Sequence, residues 1–387
     1  MSPNSPHQNQ AACSKSFDDG HASGSVGDNS ASSVRAQIFN SSGVKVGAEF
    51  LVNTTTIDDQ ISPCLSSLSN GNFVAIWSDL SQTGGDVSSR AVRAQIFTAS
   101  GIKVGPEFLA NTTTIGMQSD PTVIELLNGN FVVSWFGYSN VGGDGRVFTS
   151  QYQIFDPMGG RIGTEALLTK TSVGEVGKPE MTPLASGGFV VTWSVNTGLS
   201  NEIRAQLVEA DGRKSGAEFG INTTNDGYEI VPSICSINDG RFVVVWMDVR
   251  PTSDAEVRGQ VFNAKGTKSG LEFIVNTTTA SYQGYPVAAA LPDGRFIVSW
   301  TETRQLINGS SSDEVRAQIF DPRFQAVELL GTLAGDYFVG TQYDDWLSGK
   351  EGSDTLNGST GEDLLFGGAQ GMTASMVALV PTGIAVV

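Results

Sequence analysis

Histidine is almost absent from this sequence of 387 residues: the only two are His7 and His21. Ser-His and Cys-His hydrolases use a histidine as general base, and His-Glu-x-x-His proteases use two as zinc ligands. The sequence after residue 33 can therefore build none of these sites. We predict no catalytic residues and no residues that bind an organic cofactor, and we expect a protein that is not an enzyme.

Cysteine is scarce as well. The three cysteines, Cys13, Cys64 and Cys235, are odd in number and lie far apart in the sequence. This pattern argues against a disulfide framework and against a zinc site. Because Cys64 and Cys235 lie in apolar, strand-like stretches, we predict that both are packed thiols.

The chain has no long apolar run. No stretch approaches the roughly 20 apolar residues of a membrane helix, so we expect no membrane insertion. Residues 1–33 are rich in Ser, Asn, Gly and Asp and contain no basic start followed by an apolar run, as a Sec-type signal would. We interpret them as a disordered leader or as the incomplete start of something longer.

Positive charge is also limited. The chain carries 23 Lys and Arg against 40 Asp and Glu, which gives a net charge of −17. Such a surface repels phosphate backbones and anionic lipids, so we expect no nucleic-acid partner. A negatively charged surface of this kind is better suited to binding divalent cations.

Glycine and strand-forming residues are abundant. There are 46 glycines, with many Val, Thr, Ser and Asn residues, and this composition favours strands and turns. No long stretch has an apolar period of 3.6 residues. The sequence therefore predicts an all-β protein.

A repeat marked by tryptophan strands occupies most of the chain. Segments such as GNFVVSW (129–135) and GRFVVVW (240–246) recur with their tryptophans 58, 58, 53 and 54 residues apart. A second motif, VRAQIF, lies at 34, 92 and 315, with variants between. A third motif joins Glu-Phe to Asn-Thr-Thr. The tryptophans are Trp77, Trp135, Trp193, Trp246 and Trp300.

Each repeat unit contains four strand-length pieces separated by turn residues. Four strands about every 55 residues is the period of a propeller blade. We predict a β-propeller-like array of about five four-stranded repeats over residues 34–325. The alternative is a string of small β-sandwich modules, although immunoglobulin-like domains need about 100 residues each.

Three features of the repeat invite a functional interpretation. The recurring arginines could bind anionic glycans, but repetition in every unit favours a structural bond. The tryptophans are predicted to be core, and the Asn-Thr-Thr segments to be turns. The loops between the tryptophan and Arg-x-Gln strands vary most, so a ligand site would lie there. The arginines are Arg35, Arg93, Arg204, Arg258 and Arg316.

From Gly331 the period changes to nine residues. The rows are GTLAGDYFV, GTQYDDWLS, GKEGSDTLN and GSTGEDLLF, with a fifth beginning at Gly367. The sixth place is always aspartate and the eighth is always apolar. Calcium takes six to eight oxygen ligands from carboxylates and carbonyls, and glycine lets a tight turn aim its carbonyls inward. An ion would lie between turns 18 residues apart, pairing Asp336 with Asp354 and Asp345 with Asp363.

Rows three and four resemble the RTX (hemolysin-type) calcium-binding nonapeptide family, whose pattern is Gly-Gly-x-Gly-x-Asp-x-apolar-x. The resemblance covers roughly 331–371 and implies a parallel β-roll that binds Ca²⁺. We expect the array to be disordered without calcium, because its carboxylates repel one another and its core is thin. Rows one and two depart at the fourth place, and all four rows lack the second glycine. The predicted metal-site residues are Asp336, Asp345, Asp354, Asp363, Gly349, Gly352, Gly358 and Gly361.

The nine-residue period stops at Gly371. The tail 372–387 is apolar and uncharged. Back-translation in a shifted frame restores Gly and Asp codons at the period of nine, so we hypothesise a frame-shifted continuation of the array. The predicted domains are a leader at 1–33, the propeller-like array at 34–325, the roll at 326–371 and the tail at 372–387.

The function predicted from these patterns is a calcium-binding, non-enzymatic binding or structural protein of adhesin-like character. Its expected partners are calcium ions and a cell-surface glycan or protein. The resemblance implies secretion by a bacterial type I-like route, through a C-terminal signal that a frame shift would remove. The alternative is a carbohydrate-active enzyme that uses acidic rim loops of the propeller.

Overall fold

The computed structural model describes residues 10–14, 32–40, 42–140, 146–171, 175–198, 200–224, 227–250, 255–278, 281–305, 310–367 and 385–386. These ranges contain 28 strands and no helix, which confirms the all-β prediction. No helix long and apolar enough to cross a membrane occurs in them.

The first 22 strands form six antiparallel units, in which consecutive strands pair. Unit one is β1 (Gln10–Ser14), β2 (Arg35–Phe39) and β3 (Lys45–Leu51). Unit two is β4 (Gln60–Ser67), β5 (Asn72–Asp79), β6 (Ala91–Thr98) and β7 (Lys103–Leu109). Unit three is β8 (Met117–Glu125), β9 (Phe131–Asn140), β10 (Arg146–Phe155) and β11 (Arg161–Thr171).

Unit four is β12 (Glu180–Pro183), β13 (Phe189–Asn196), β14 (Asn201–Val208) and β15 (Lys214–Gly220). Unit five is β16 (Tyr228–Ser236), β17 (Phe242–Val249), β18 (Ala255–Phe262) and β19 (Lys268–Ile274). Unit six is β20 (Tyr282–Ala290), β21 (Phe296–Gln305) and β22 (Ser311–Phe320). The array is β-propeller-like, as predicted.

The tryptophan strands form the core. Trp77, Trp135, Trp193 and Trp246 are fully buried, and Trp300 nearly so. Successive units stack face to face: Val74 and Ile76 of unit two pack in one cluster with Trp135 of unit three. A strand buried on both faces must be apolar on both, which explains the continuous apolar run of each tryptophan strand.

Units two to five have the predicted four strands, whereas unit six has three. The hairpin between the third and fourth strands uses a glycine with φ of +74° to +89° in each of the first five units: Gly43, Gly101, Gly159, Gly212 and Gly266. The corresponding residue of unit six is Phe324. A phenylalanine rarely adopts this left-handed conformation, so the hairpin is not made and the chain continues into the roll.

Within the predicted leader, residues Gln10–Ser14 form β1, which pairs antiparallel with β2. This differs from the disordered segment expected there. The physical reason is that unit one has no tryptophan strand of its own, so the inner edge of β2 is available for pairing. The remainder of residues 1–31 lies outside the described residues.

The C-terminal strands form two parallel sheets. One contains β23 (Glu328–Leu330), β25 (Trp346–Ser348), β27 (Leu364–Phe366) and β28 (Ala385–Val386), and the other contains β24 (Tyr337–Val339) and β26 (Thr355–Asn357). Strands within each sheet pair at a spacing of 18 residues, for example Tyr337 with Thr355. The strands therefore form the parallel β-roll that the nine-residue rows predict. The tail outside Ala385–Val386 lies outside the described residues.

Candidate metal centre

Each nine-residue row contributes one turn and one three-residue strand. The apolar residue at the eighth place points between the two sheets, where Phe338, Leu347, Leu356 and Leu365 form a small buried cluster. Glycine and aspartate fill the preceding turn because a tight turn needs conformational freedom and short polar side chains. The roll thus has a thin core flanked by two columns of acidic turns.

The structure brings together the aspartates that the spacing of 18 predicts to be neighbours. Asp354 Oδ1 accepts a hydrogen bond from the backbone nitrogen of Asp336 at 3.0 Å. Asp363 Oδ1 accepts one from the backbone nitrogen of Asp345 at 2.9 Å. Two turns that stack at a spacing of 18 residues are successive rungs of the roll. The carboxylate of each lower row (rows three and four) therefore lies directly against the turn of the upper row (row one or two) one rung above it.

The four predicted glycines of rows three and four line these turns. A Cβ added at Gly349 would lie 2.2 Å from Asp354 Oδ2, and one at Gly358 would lie 2.3 Å from Asp363 Oδ2. Neither position has room for a side chain. The first glycine of each row thus leaves space for the carboxylate of its own turn.

The glycines at the fourth place have another role. Gly352 and Gly361 have φ of +126° and +130°, which L side chains rarely adopt. A Cβ on them would lie 2.5 Å from the carbonyl oxygens of Ala334 and Tyr343, respectively. Stacked turns therefore bring carbonyl oxygens of one rung against the next, and carbonyl oxygens are ligands that calcium prefers.

The carboxylates of the lower rows are buried and only partly hydrogen-bonded. Asp354 and Asp363 are each 7% exposed, and the buried Asp354 Oδ2 has no hydrogen-bond donor. Burial, together with the negative charges of Asp345 and Asp344, raises the pKa of Asp363. A buried carboxylate oxygen without a donor is costly, and a cation would satisfy it. The residues present therefore fit a calcium ion.

The upper rows are built differently. Asp345 Oδ1 accepts hydrogen bonds from Thr341 Oγ1 at 2.9 Å and from the backbone nitrogen of Val327 at 2.7 Å, and its Oδ2 accepts one from the backbone nitrogen of Thr341. Asp336 similarly accepts bonds from Thr332. Threonine at the second place thus donates the hydrogen bonds that satisfy these carboxylates. In the lower rows a cation would have to satisfy them.

The second place of the lower rows shows a further departure. Lys350 and Ser359 have φ of +65° and +70°, although neither is glycine. A side chain in the left-handed region costs about 1–2 kcal/mol. The family pattern has glycine here, and the backbone still adopts the conformation that the glycine would allow.

No group of three or more His, Cys, Asp or Glu side chains suited to a metal ion occurs in the described ranges. An ion between two turns would therefore draw most of its ligands from backbone carbonyls and water. Calcium accepts such a set because it favours oxygen ligands in flexible geometry.

Sequence reasoning missed the first rung of the roll. Strand β23 pairs parallel with β25, with Leu329 opposite Leu347. Leu329 lies nine residues before Phe338, so its position continues the apolar period. Its row has Val327 where the others have aspartate. A search for apolar residues at intervals of nine, without requiring an aspartate in each row, would have found this rung.

Sequence reasoning also missed Arg323, which connects unit six to the roll. Its side chain is 4% exposed. Its Nη1 donates to the carbonyl oxygens of Asp293 (3.1 Å) and Val339 (2.6 Å), and its Nη2 donates to that of Gly340 at 2.9 Å. Asp321 balances its charge. The roll is thereby held against the last unit.

A cavity of about 270 Å³ lies beside this arginine. It is lined by the turns of units five and six and by residues 323–329, among them Arg241 and Asp293. The guanidinium of Arg241 lies over the ring of Phe324, 4.9 Å from its centroid. The cavity is at the junction with the roll, whereas the sequence placed a ligand site in the loops that follow the tryptophan strands.

The recurring arginines make structural ion pairs. Arg93 Nε contacts Asp79 at 2.5 Å and its Nη1 contacts Glu107 at 3.1 Å, and all three side chains are buried. Arg258 makes the same contacts with Asp248 and Glu272. These contacts agree with the structural interpretation. Asp79 and Asp248, at the ends of their tryptophan strands, are thus already ion-paired.

Residues 339–371 match the family described as RTX calcium-binding nonapeptide repeat, in four copies. This segment is an RTX repeat array. RTX repeats bind calcium generally. The family match begins at Val339, the last residue of row one, and so leaves out the turn of that row. A comparison with curated proteins finds no match.

Comparison with solved structures gives distant likenesses. A protein of unknown function from Dyadobacter fermentans is 14% identical, with 74% of this chain and 83% of that chain covered and a TM-score of 0.49. An α-L-arabinanase from Penicillium chrysogenum is 13% identical, with 66% and 80% covered and a TM-score of 0.45. An endo-arabinase from Bacteroides thetaiotaomicron is 14% identical, with 67% and 93% covered and a TM-score of 0.40. Likeness at this level carries no inference about activity.

Proposed function

We propose that this chain is a calcium-dependent binding or structural protein in which Ca²⁺ folds the roll at 326–371 and the array at 34–325 presents a binding surface. The observation that carries the proposal is the buried oxygen Asp354 Oδ2, which has no donor. It lies in a turn whose glycines leave room for oxygen ligands. A divalent cation would provide the missing compensation.

The proposed ligand set uses both columns of turns. Asp354, Gly349 and Gly352 would hold one ion against the turn of Asp336. Asp363, Gly358 and Gly361 would hold another against the turn of Asp345. When bound, the ion neutralises the facing carboxylates and fixes the turns, which the thin core alone stabilises weakly. The upper aspartates already accept bonds from Thr332 and Thr341, so we expect modest affinity.

The test is a calcium titration of the whole chain by calorimetry and circular dichroism. We expect saturable binding of at most two ions and a gain of ordered structure in the roll. Asp354→Asn and Asp363→Asn should each remove one ion. The matched control is Glu351→Gln, because Glu351 is an exposed carboxylate of the same row as Asp354. Absence of calcium-dependent ordering in 331–371 would refute the proposal.

A non-enzymatic role is favoured by the state of the carboxylates near the variable loops. Asp79, Asp248 and Glu302 are buried and ion-paired with arginines. A glycosidase needs two carboxyl groups free to exchange protons or attack a sugar. We therefore propose that the partner is a cell-surface glycan or protein that is bound without being cleaved. A glycan array tests for binding and a glycosidase screen tests for cleavage, each with and without calcium. Together they separate a binding protein from a carbohydrate-active enzyme.

The cellular location belongs to the same proposal. RTX repeats are typical of secreted bacterial proteins, and we propose export by a type I-like route. The coding DNA tests the hypothesis of a frame-shifted tail: its alternate frame should contain Gly and Asp codons at the period of nine.

A further inference from the structure

Strand β22 has one open edge. In units two to five a fourth strand pairs with the third, but in the described ranges β22 pairs only with β21. Phe324 prevents the hairpin, and Glu328–Leu330, which begins with the Glu-apolar pair of a fourth strand, joins the roll instead. An open edge presents unpaired N–H and C=O groups, which can pair with another extended chain.

Units two to five, in which a fourth strand pairs with the third, are called the filled units. They show which groups bind at such an edge. In unit two, Glu107 of the fourth strand receives Arg93 Nη1 at 3.1 Å. The same carboxylate receives the backbone nitrogen of Thr54 at 2.6 Å and the hydroxyl of Thr55 at 2.8 Å, both from the preceding unit. One glutamate therefore closes the edge and connects two units.

Unit five repeats this arrangement. Glu272 receives Arg258 Nη1 at 2.9 Å, the backbone nitrogen of Thr223 at 2.7 Å and the hydroxyl of Thr224 at 2.7 Å. These bonds to an ionised acceptor are the stronger kind. The repetition shows that the arginine and the Thr-Thr pair together form a glutamate-binding arrangement.

Unit six has all the donors of this arrangement and lacks the glutamate. Arg316 uses Nε for Glu302 and Nη2 for Glu314, while Nη1 has no carboxylate partner within the described residues. Its side chain is 43% exposed, against 6% for Arg93 and 13% for Arg258. The matching Thr277 and Thr278 are exposed and contact no carboxylate in the part of the chain that the structure describes.

The apolar contacts of the strand are also unfilled. Val315 is 80% exposed, whereas the equivalent Val92 and Val257 are fully buried. In the filled units a phenylalanine of the fourth strand lies opposite a small residue of the third, as Phe108 lies opposite Ala94. The equivalent small residue of unit six is Ala317, which is exposed.

We propose that the outer edge of β22 is a docking site for an extended segment of a partner polypeptide with the pattern Glu-Phe-aliphatic. The segment adds a fourth, antiparallel strand to unit six, as strand addition does at other sheet edges. Its glutamate binds Arg316 Nη1 and Thr277–Thr278, its phenylalanine covers Ala317, and its aliphatic residue lies opposite Arg316, as Ile274 lies opposite Arg258.

The segment comes from a partner because this chain's own fourth strands are engaged. The strands β3, β7, β11, β15 and β19 each pair with the third strand of their own unit. None is left to fill β22 without opening an equivalent edge elsewhere. The site suits an acidic segment, since it offers Nη1 of Arg316 and two threonines as donors, the same groups that bind Glu272 in unit five.

The test uses the whole chain and a fluorescein-labelled peptide KVGAEFLVN, the sequence of residues 45–53. We expect saturable binding by fluorescence anisotropy and slower hydrogen exchange in 311–320 of the wild-type chain when peptide is present. Replacing the peptide glutamate by glutamine should weaken binding about tenfold, because it removes a charge-assisted pair. Arg316→Ala in the protein should have the same effect.

Two controls separate the outcomes. Arg213→Ala, which removes an exposed ion pair in unit four, should leave peptide affinity unchanged. Asp354→Asn should also leave it unchanged, so failure of the calcium proposal would not affect this result. Equal affinity for wild type and Arg316→Ala, no change in exchange at 311–320, or self-association through β3 that excludes the peptide would each overturn the proposal.

Discussion

The array and the roll reach a folded state by different means. In the array, units two to five each bury a tryptophan and apolar residues on both faces of the second strand. In the described part of the roll, four residues at the eighth places and two from the first rung form the core. Burial of apolar surface stabilises the array in proportion to its area, whereas the roll must also offset the repulsion of its aspartates. We therefore expect the array to fold without a cation and the roll to depend on one.

The largest expected effect is on the array. Trp246 is fully buried and its indole nitrogen has no hydrogen-bond partner, so its contribution is packing. Trp246→Ala should lower the free energy of unfolding of the array by about 3–5 kcal/mol. Urea unfolding followed by the fluorescence of the remaining tryptophans measures it. Trp246→Phe is the matched control and should cost less. Calcium affinity should be unchanged in both variants, and a loss of calcium binding would contradict the separation of the two regions.

The second effect concerns the connection between the regions. Arg323→Ala leaves three carbonyl oxygens without their donor and Asp321 without its partner. We expect it to cost about 2–3 kcal/mol and to release the roll from unit six. Hydrogen exchange in 337–340 should rise. Arg213→Ala is the control, since Arg213 makes the same Asp-x-Arg pair at an exposed site, where little or no loss of stability is expected. Equal effects of the two substitutions would contradict a connecting role.

Much of the array could be predicted from the sequence because every unit repeats its own evidence. The five tryptophans identify one strand, and the turn residues separate the others. Local and long-range requirements agree in such a repeat, so the period alone fixes the order of strands. Unit six departs from the pattern after β22, where Phe324 occupies a glycine position, and only the backbone conformation of the other units shows why that residue matters.

The roll was predictable where its residues keep the family pattern. The spacing of nine predicted the positions of the turns that contain Asp354 and Asp363. It also predicted that each turn lies beside the turn of the row 18 residues earlier. It did not give β23, because Val327 interrupts the column of aspartates while the apolar column continues. Arg323 was not predictable, since its partners are backbone carbonyls that no sequence pattern marks.

A smaller effect would sharpen the difference between the two halves of the roll. Lys350 and Ser359 occupy a left-handed conformation, so Lys350→Gly and Ser359→Gly should each stabilise the calcium-loaded roll by about 1 kcal/mol. The thermal midpoint of the roll measures this. Thr332→Gly is the matched control at the second place of row one. It should destabilise, because Thr332 donates to Asp336 and its φ is not positive. A stabilising Thr332→Gly would show that the rows do not differ.

The smallest effect is the pH dependence of unit six. Hydrogen bonds from Arg304 and Arg316 lower the pKa of Glu302 to about 2, from an ordinary value of 4.5. A carboxyl group whose pKa is lower in the folded state contributes stability above its unfolded pKa and loses it as the pH falls toward the folded value. Wild type should therefore lose this contribution between about pH 4.5 and 2. Other carboxylates titrate in the same window, so the measurement is the difference in unfolding midpoint between wild type and Glu302→Gln at each pH. That difference should shrink toward pH 2, because protonated Glu302 and glutamine are both uncharged. A difference that is constant with pH would mean that Glu302 contributes through its shape and not through its charge.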